Sequence, residues 1–308
     1  MAKASVIIPV YNAEGTIREC IESVLRNDYA DFEVIVVDDN SRDGTRDNVE
    51  HIKDNRLTLL VNERNSGPAL SRNRGIKESQ GSIILFLDAD SYIEQDWVKI
   101  HIRLHSDILA DIIGGAIAGI YKTVFGKCDG FCNWWTSIPY SRDHYVKKLH
   151  IPTNNMSIKR EVFDKIGYFN EALQSGEDAE FCYRALKNDI RIFFKCDLVA
   201  FHYEKDSFAG FLKHQEKWGA QVVKMRKAMN MDYSYLIPNS RLIVHLYILP
   251  LTFLLTALVI FKWIRYNPLV ILYSPVIFIG KMRHAIAVKN TLDCKKSEEL
   301  SSELRGER

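Results

Sequence analysis

Three observations predict an α/β fold. Strand-like and helix-like segments alternate from residue 5 to residue 90, the strands are apolar almost end to end, and the chain turns strongly apolar after residue 240. Continuous apolar strands joined by helices read as a mostly parallel central sheet flanked by helices, here followed by C-terminal hydrophobic helices. In order, SVIIPV (5–10) is a buried strand. Ile17, Ile21, Val24 and Leu25 recur at the spacing of one helix face. EVIVVDD (33–39) is a second buried strand, and SRDGTRDNVEHIK starts on a capping residue and turns helical. LTLLVNE (57–63) is a third strand, and a helix follows from about Pro68 to Glu78, with proline suited to its first turn. SIILFLDAD (82–90) is a fourth strand. Beyond residue 112 the pattern is mixed: IIGGAIAGIY reads as a strand, and an irregular aromatic stretch follows around Trp134, Trp135 and Tyr140. EDAEFCYRALKN (177–188) reads as a helix, and IRIFF (190–194) and LVAFHYE (198–204) read as two strands.

A chain of 308 residues buries a full core, and its net charge of +2 argues against a nucleic-acid binder, which would be strongly basic. The six cysteines lack zinc-site spacing; Cys128 and Cys132 stand four apart with no His-x-x-x-His to complete a site. They are expected to be reduced thiols of a cytosol-facing protein. The N-terminal MAKASVIIPV lacks a signal-peptide core and reads as a first strand. LIVHLYILPLTFLLTALVIF (242–261) matches the roughly 20 residues that span a bilayer. LVILYSPVIFIG (269–280) is short for a span but suits a tilted or re-entrant segment. Lys224, Arg226 and Lys227 before, with Lys281, Arg283 and Lys289 after, favour a hairpin with both ends cytosolic. The alternative is a buried core helix plus a surface helix. The tail from Cys294 is charged and expected to be flexible.

In open parallel sheets, ligands bind beyond the carboxyl ends of the strands. The first strand ends in Pro9, Tyr11, Asn12 and Glu14, the second in Asp38 and Asp39, and the fourth in Asp88 and Asp90. These acids are expected to meet at one edge. Carboxylates aimed at one spot are stable if a divalent cation sits between them, and hard oxygen ligands suit Mg²⁺ or Mn²⁺. Asp-x-Asp by itself is a loose motif, and Asp88 would equally suit the cap of a helix beginning near Glu94. Dinucleotide binding would want a Gly-x-Gly-x-x-Gly after the first strand, and PVYNAEGTI has none; a P-loop is likewise missing.

VIIPVYNAEGTIRECIESVL, VIVVDDNSRDGT, NSGPALSRNRGI, ILFLDAD, NNMSIKREVFDKIGYFNE and GEDAEF, in that order, resemble the family-2 glycosyltransferases of the GT-A fold over about residues 4 to 205. The resemblance implies a Rossmann-like nucleotide-binding half joined to a mixed acceptor half. It places Pro9, Tyr11 and Glu14 in the loop bordering the nucleotide, Asp39 on the base or ribose with Asp38 beside it, and Arg72 near the nucleotide. Asp88, Ala89 and Asp90 match the Asp-x-Asp motif, Asp90 as the more direct metal ligand and Asp88 nearer the ribose. Asp178 matches the catalytic base, and His202 stands where many relatives place a histidine near the metal or diphosphate.

The chemistry suits these residue types. A nucleoside diphosphate leaves only if its charge is held, and the acceptor hydroxyl needs a base on the opposite face of the sugar. A single carboxylate supports single displacement, so the anomeric configuration inverts. Glu177 is assigned with Trp218 to the acceptor. Glu177 and Asp178 would also complement a helix dipole; His202 reads equally as a satisfied strand-end histidine, and Arg72 as a solvated helix residue. HQEKWG (214–219) resembles the Gln-x-x-Arg-Trp motif of processive relatives, but His214 and Lys217 replace the Gln and Arg, which speaks against polymer synthesis. Trp218 then stacks on acceptor sugar or lies at a membrane surface. Trp134 and Trp135 line the acceptor site or pack in the core.

The expected division is 1–206 catalytic domain, 207–238 basic interfacial helix, 239–289 transmembrane or re-entrant hairpin, and 290–308 flexible tail. The expected activity is metal-dependent (Mn²⁺ or Mg²⁺) transfer of a sugar from a nucleotide-sugar, with a UDP-sugar favoured, to a glycan or lipid-linked acceptor at the cytosolic face of the cell membrane. Transfer to a polyprenyl phosphate and a nucleotide-sugar-binding scaffold without turnover are the alternatives.

Overall fold

The computed structural model describes residues 3–134, 136–147, 150–230 and 241–304, with side chains throughout except at 241–247 and 292–304. Trp135, residues 231–240 of the expected interfacial and hairpin segments, and the last four residues of the expected tail lie outside the described residues. The chain divides into two compact units, Met1–Ile120 with Thr136–Tyr203, and Tyr121–Trp135 with Glu204–Arg308.

The first unit begins with β1 (Ala4–Val10), α1 (Ile17–Leu25), β2 (Phe32–Asp38), α2 (Thr45–Glu50), β3 (Leu57–Val61), α3 (Pro68–Glu78) and β4 (Ile83–Phe86). These four strands are parallel in the order β3-β2-β1-β4. Side chains alternate across a strand. Val6 and Ile8 therefore enter one core with Ile21, Val24, Val34 and Val36, while Ile7 enters the other with Ile76, Ile84 and Phe86. Both faces are covered, which is why the strands read as unbroken apolar runs.

The rest of the unit comprises β5 (Ser91–Ile93), α4 (Trp97–Asp107) and β6 (Ile112–Ile120), and, after α5 (Val124–Asn133) of the second unit, β7 (His144–Tyr145), β8 (Met156–Lys159), α6 (Arg160–Ile166), α7 (Glu177–Lys187) and β9 (Ile192–Tyr203). β8 lies antiparallel to β4 and β6, and β9 runs parallel to β6 and antiparallel to β5 and β7. The sheet is thus parallel in its first half and mixed in its second. IRIFF and LVAFHYE are one strand, β9, where two were expected, because β6 pairs along both with a register shift between Gly115 and Ala116. NNMSIK contains β8, which alternation did not reveal. The helix expected near Glu94 starts at Trp97 behind Asp96, and β5 intervenes, so Asp88 caps no helix. Under β6 and β8 lies a polar knot: Trp97 Nε1 donates to Asn155 Oδ1 at 2.8 Å, and His101 bridges Asn155 Oδ1 (3.1 Å) and Ser157 Oγ (2.8 Å).

The second unit contains α5, α8 (Phe208–Ala228), α9 (Arg241–Trp263), a 3₁₀ turn (Pro268–Tyr273) and α10 (Ser274–Leu304). The insertion of α5 into this unit was not foreseen, and α10 continues through residues 290–304, where a flexible tail was expected. α8 and α10 meet closely: a Cβ at Gly219 would stand 2.3 Å from the His284 carbonyl oxygen. Glu216 pairs with Arg283 at 2.9 Å, and Lys281 Nζ donates to Gln215 Oε1 at 3.0 Å. Fully buried Asp129 of α5 receives Gln215 Nε2 at 3.2 Å and faces His214 Nδ1 at 2.7 Å. The end of α9 docks on α5, with Trp263 Nε1 donating to the Phe131 carbonyl at 2.9 Å. Among the described residues, Pro268–Thr291 is the one helical stretch long and apolar enough to cross a membrane, and Ile248–Trp263 is a shorter apolar helix.

Candidate active site

The strand register brings the predicted acids to one edge of the sheet. Val10 is level with Asp38, and Ile7 with Phe86, so the chain leaves β1, β2 and β4 at the same side. Pro9 sits in β1 opposite Val37, and Tyr11, 46% exposed, begins the first loop. That loop is laced to the one after β2: Glu14 Oε2 accepts from Gly44 N at 2.7 Å, Ala13 N donates to Thr45 Oγ1 at 2.8 Å, and Arg42 N donates to Asn12 Oδ1 at 2.8 Å.

Asp38 and Asp39 build loops. Asp38 is fully buried, accepts from Ser41 N at 3.1 Å and pairs with Arg46 at 3.2 Å. Asp39 accepts from Asn62 Nδ2 (2.8 Å), Ser66 N (3.0 Å) and Gly67 N (2.7 Å). It thereby holds the turn that leads into α3, where Gly67 adopts φ +93, a conformation open to glycine. Asn62 and Ser66 stand in the polar cluster that ends the third strand, a signal for their role, whereas Arg46 of α2 carries none.

Arg72 projects from α3 with 4% of its side chain exposed, not as a solvated helix residue. One terminal nitrogen donates to Asp88 Oδ1 at 2.9 Å, and the other pairs with Glu177 Oε1. Glu177 and Asp178 open α7, which begins behind Gly176 at φ 81. Asp178 is 7% exposed, and its Oδ1 accepts from Ala179 N at 2.7 Å. Burial pushes the Glu177 carboxyl up, against the opposing pull of Arg72 and with a further push from Asp178. Asp88 is likewise raised by desolvation, opposed by Arg72 and reinforced by Asp90. Desolvation works against the Arg72 cation, but Glu177, Asp88 and Asp178 together raise its pKa.

Asp90 and His202 form a second pair. Ser91 of β5 is level with His202 of β9, which brings His202 Nε2 to 3.3 Å from Asp90 Oδ1, and Tyr203 N donates to the Asp90 carbonyl at 2.9 Å. Ala89 between the two acids is buried. Asn154 underpins the turn: its Oδ1 accepts from Asp88 N at 3.2 Å and Ser91 Oγ at 2.8 Å. It lies in the NNMSIK run, whose local pattern carries no sign of that role.

A carboxylate oxygen suits a hard divalent cation such as Mn²⁺, and the imidazole nitrogen beside it is a donor that transition-metal ions accept more readily than Mg²⁺ does. Among the described residues no group of three or more His, Cys, Asp or Glu side chains is gathered to hold a metal. Asp90 and His202 therefore fit a metal that keeps further positions for other oxygens, whereas Asp88 is turned toward Arg72. Trp218 of α8 donates its indole N–H to His214 Nε2 at 2.9 Å within the second unit, and Trp134 is buried there.

A sheet whose acids gather beyond the carboxyl ends of parallel strands, backed by a mixed half carrying an acidic helix start, defines a nucleotide-binding α/β enzyme. The sequence profile described as "Glycosyl transferase family 2" matches residues 5–167. The chain is 30% identical over 228 residues to "Glycosyltransferase AglE" of Haloferax volcanii, covering 72% of this chain and 73% of that protein. It is 48% identical over 86 residues to "UDP-Glc:alpha-D-GlcNAc-diphosphoundecaprenol beta-1,3-glucosyltransferase WfgD" of Escherichia coli, covering 28% of this chain and 34% of that protein. The fold is similar to that of "Mannosyltransferase PcManGT from Pyrobaculum calidifontis in complex with GDP-Man and Mn2+", with a TM-score of 0.64 at 20% identity over 95% of this chain and 88% of that one. It is also similar to S. aureus TarS 1-349 in complex with UDP, with a TM-score of 0.54 at 20% identity over 96% of this chain and 92% of that one. The chain belongs to glycosyl transferase family 2 and is a glycosyltransferase.

Proposed function

We propose that the protein transfers one sugar, with inversion, from a nucleoside diphosphate sugar to a hydroxyl of a lipid-linked or cell-surface glycan at the cytosolic face of a membrane. The observation that carries this reading is Arg72, which ties an acid from the end of β4 to an acid from the start of α7. Donor-side and acceptor-side carboxylates thereby face one spot. The acceptor hydroxyl gives its proton to Asp178, its oxygen bonds to the anomeric carbon, and the carbon–oxygen bond to the diphosphate breaks with its electron pair leaving on the nucleotide. Tyr11, Pro9 and Glu14 border the nucleotide, and Asp38 and Asp39 keep the loops beneath it in place. A bound Mn²⁺ or Mg²⁺ would neutralise the diphosphate oxygens as they depart; Asp90 and His202 would hold it, and Arg72 would add fixed positive charge beside it. The printed names of relatives support the donor class: one is in complex with GDP-Man and Mn²⁺, one with UDP, and WfgD uses UDP-Glc on a diphosphoundecaprenol-linked sugar.

The test is a thermal-shift screen of UDP-, GDP- and dTDP-sugars with Mn²⁺, followed by measurement of nucleotide release. A ligand that binds only the folded chain raises its melting temperature, by about 2.7 kcal/mol of added stability at a hundredfold excess over Kd. One donor class should stabilise the protein and release nucleotide, faster with acceptor than without. Binding without release in any acceptor-containing membrane extract would mark a scaffold and sink the catalytic reading.

A further inference from the structure

α9 is built inside out. Its protein-facing stripe is Thr252, Thr256 and Val259, all buried, with both threonine hydroxyls donating to carbonyls one turn earlier at 2.7 and 2.8 Å. Its outward face carries Leu249, Phe253, Leu254, Leu258 and Phe261, between 43% and 75% exposed. The apolar surface continues through the 3₁₀ turn at Leu269, Ile271 and Leu272, the last 72% exposed. A helix that hides hydroxyls and displays phenylalanine is adapted to hydrocarbon rather than water, and so large a contiguous patch marks a contact surface. From Arg241 to Thr291 there is no Asp or Glu, against Arg241, Lys262, Arg265, Lys281, Arg283 and Lys289. That imbalance complements an anionic lipid surface.

The surroundings of the patch decide how it meets lipid. The turn between α9 and α10 does not stand free: Trp263 bonds the Phe131 carbonyl of α5, and Lys127 Nζ of α5 donates to Tyr273 Oη at 3.2 Å. From Gly280 onward α10 is packed on α8, whose Lys213, Lys217, Lys224 and Lys227 are exposed. α8 carries the half-exposed Glu216 and these lysines, which hydrocarbon does not accommodate. Of the return limb, residues 268–279 remain for lipid, about 21 Å of 3₁₀ and α-helix against a core of about 30 Å.

We propose that α9 and the following 3₁₀ turn lie in one leaflet of an anionic membrane, with the Leu249–Phe261 face in the acyl region, and do not cross it. This rests on the membrane-associated part of the function proposed above and selects the re-entrant reading of the apolar C-terminal segments over the spanning one.

The experiment uses the full chain and two lipid preparations, phosphatidylcholine alone and phosphatidylcholine with phosphatidylglycerol. Flotation should recover the protein with the mixed vesicles, with affinity about fivefold higher per basic residue that reaches the surface. Leu254→Glu and Leu258→Glu, at exposed positions, should abolish flotation while leaving the melting temperature and its rise with nucleotide-sugar unchanged. That second readout separates failure of this proposal from failure of the catalytic one. Topology is read by Arg265→Cys in a Cys196→Ser, Cys294→Ser background, expressed in bacteria and treated with a membrane-impermeant maleimide. Labelling in inverted inner-membrane vesicles but not in intact spheroplasts is expected. Labelling in spheroplasts would mean a crossing hairpin and overturn the proposal. Absence of flotation would overturn it as well, and a dimer that Leu254→Glu converts to monomer would assign the patch to a second copy of the chain and overturn it too.

Discussion

A guanidinium with 4% of its side chain exposed requires anions around it, and Arg72 has Asp88 and Glu177 in hydrogen-bond reach. Removing one partner of such a group leaves uncompensated buried charge, at a typical cost of ~3–5 kcal/mol. Arg72→Lys keeps the charge but loses the fork that serves two carboxylates at once. It should lower kcat by about tenfold or more, the scale of one lost charge-assisted hydrogen bond. It should also move the acid limb of the pH–rate profile to higher pH, since the cation now holding the Asp88 and Glu177 carboxyls down would be weaker. An unchanged acid limb would show that Arg72 does not govern their ionisation. Asp178→Asn should reduce transfer to a hydroxyl by roughly 10²–10⁴ with little change in donor binding, read by initial rates and by thermal shift. A near-normal rate would point to a phosphate acceptor. Because no group of three or more metal-binding side chains gathers among the described residues, titration calorimetry with Mn²⁺ should show weak binding to the free chain and tighter binding with UDP present. Tight binding without nucleotide would contradict that donor set. Asp88, Asp90, Asp178 and His202 were legible as residues; the Arg72 bridge and Asn154 were not, since nothing along the chain relates position 72 to 177 or 154 to 88.

At the scale of elements, the first four strands and their helices follow from local pattern because β1, β2 and β4 are buried on both faces, the edge strand β3 is an apolar run half-buried, and α1 has one apolar side. β5, β8 and the continuous β9 do not announce themselves, being defined by partners far along the chain. The α8–α10 contact is of the same kind. Gly219 allows the two helices to approach so closely that a Cβ would meet backbone, so Gly219→Leu should cost about 1–3 kcal/mol or more. Chemical denaturation would read that as a lower midpoint, and an unchanged midpoint would show that α10 moves aside freely. Gly219 belongs to the HQEKWG run, whose His214, Gln215 and Trp218 are bound into this unit by Asp129 and by one another.

Across the whole molecule, buried ionisable groups make stability depend on pH. Desolvation holds His101 down to about 3 and His105 to about 4, so both are neutral in the fold. Unfolded, each would take a proton below about 6.5. Their contribution is therefore complete above that value and is lost as the pH falls toward their folded values. The raised Asp88 and Glu177 carboxyls act in the opposite sense, taking protons in the fold before they would in the open chain. His105→Gln keeps a donor for Ser157 but does not titrate, and should remove about 1–2 kcal/mol of the stability lost between pH 7 and pH 5. Urea unfolding at the two pH values checks this; identical losses in both proteins would refute a neutral, buried His105.

What the sequence determined by itself was the class of fold, the strand-end acids, the family and the apolar character of the C-terminal segments, because these follow from periodicity and from motifs a few residues long. The tertiary structure decided how each acid is engaged: Asp38 and Asp39 are held by loop amides, Asp88 by Arg72, and Asp90 stands beside His202. Asp38 and Asp39 look alike to Asp88 and Asp90 on paper, yet burial and loop amides engage the first two. It also decided which side of α9 faces outward, since a helix with apolar residues all round carries no mark of its buried face until a neighbour covers one.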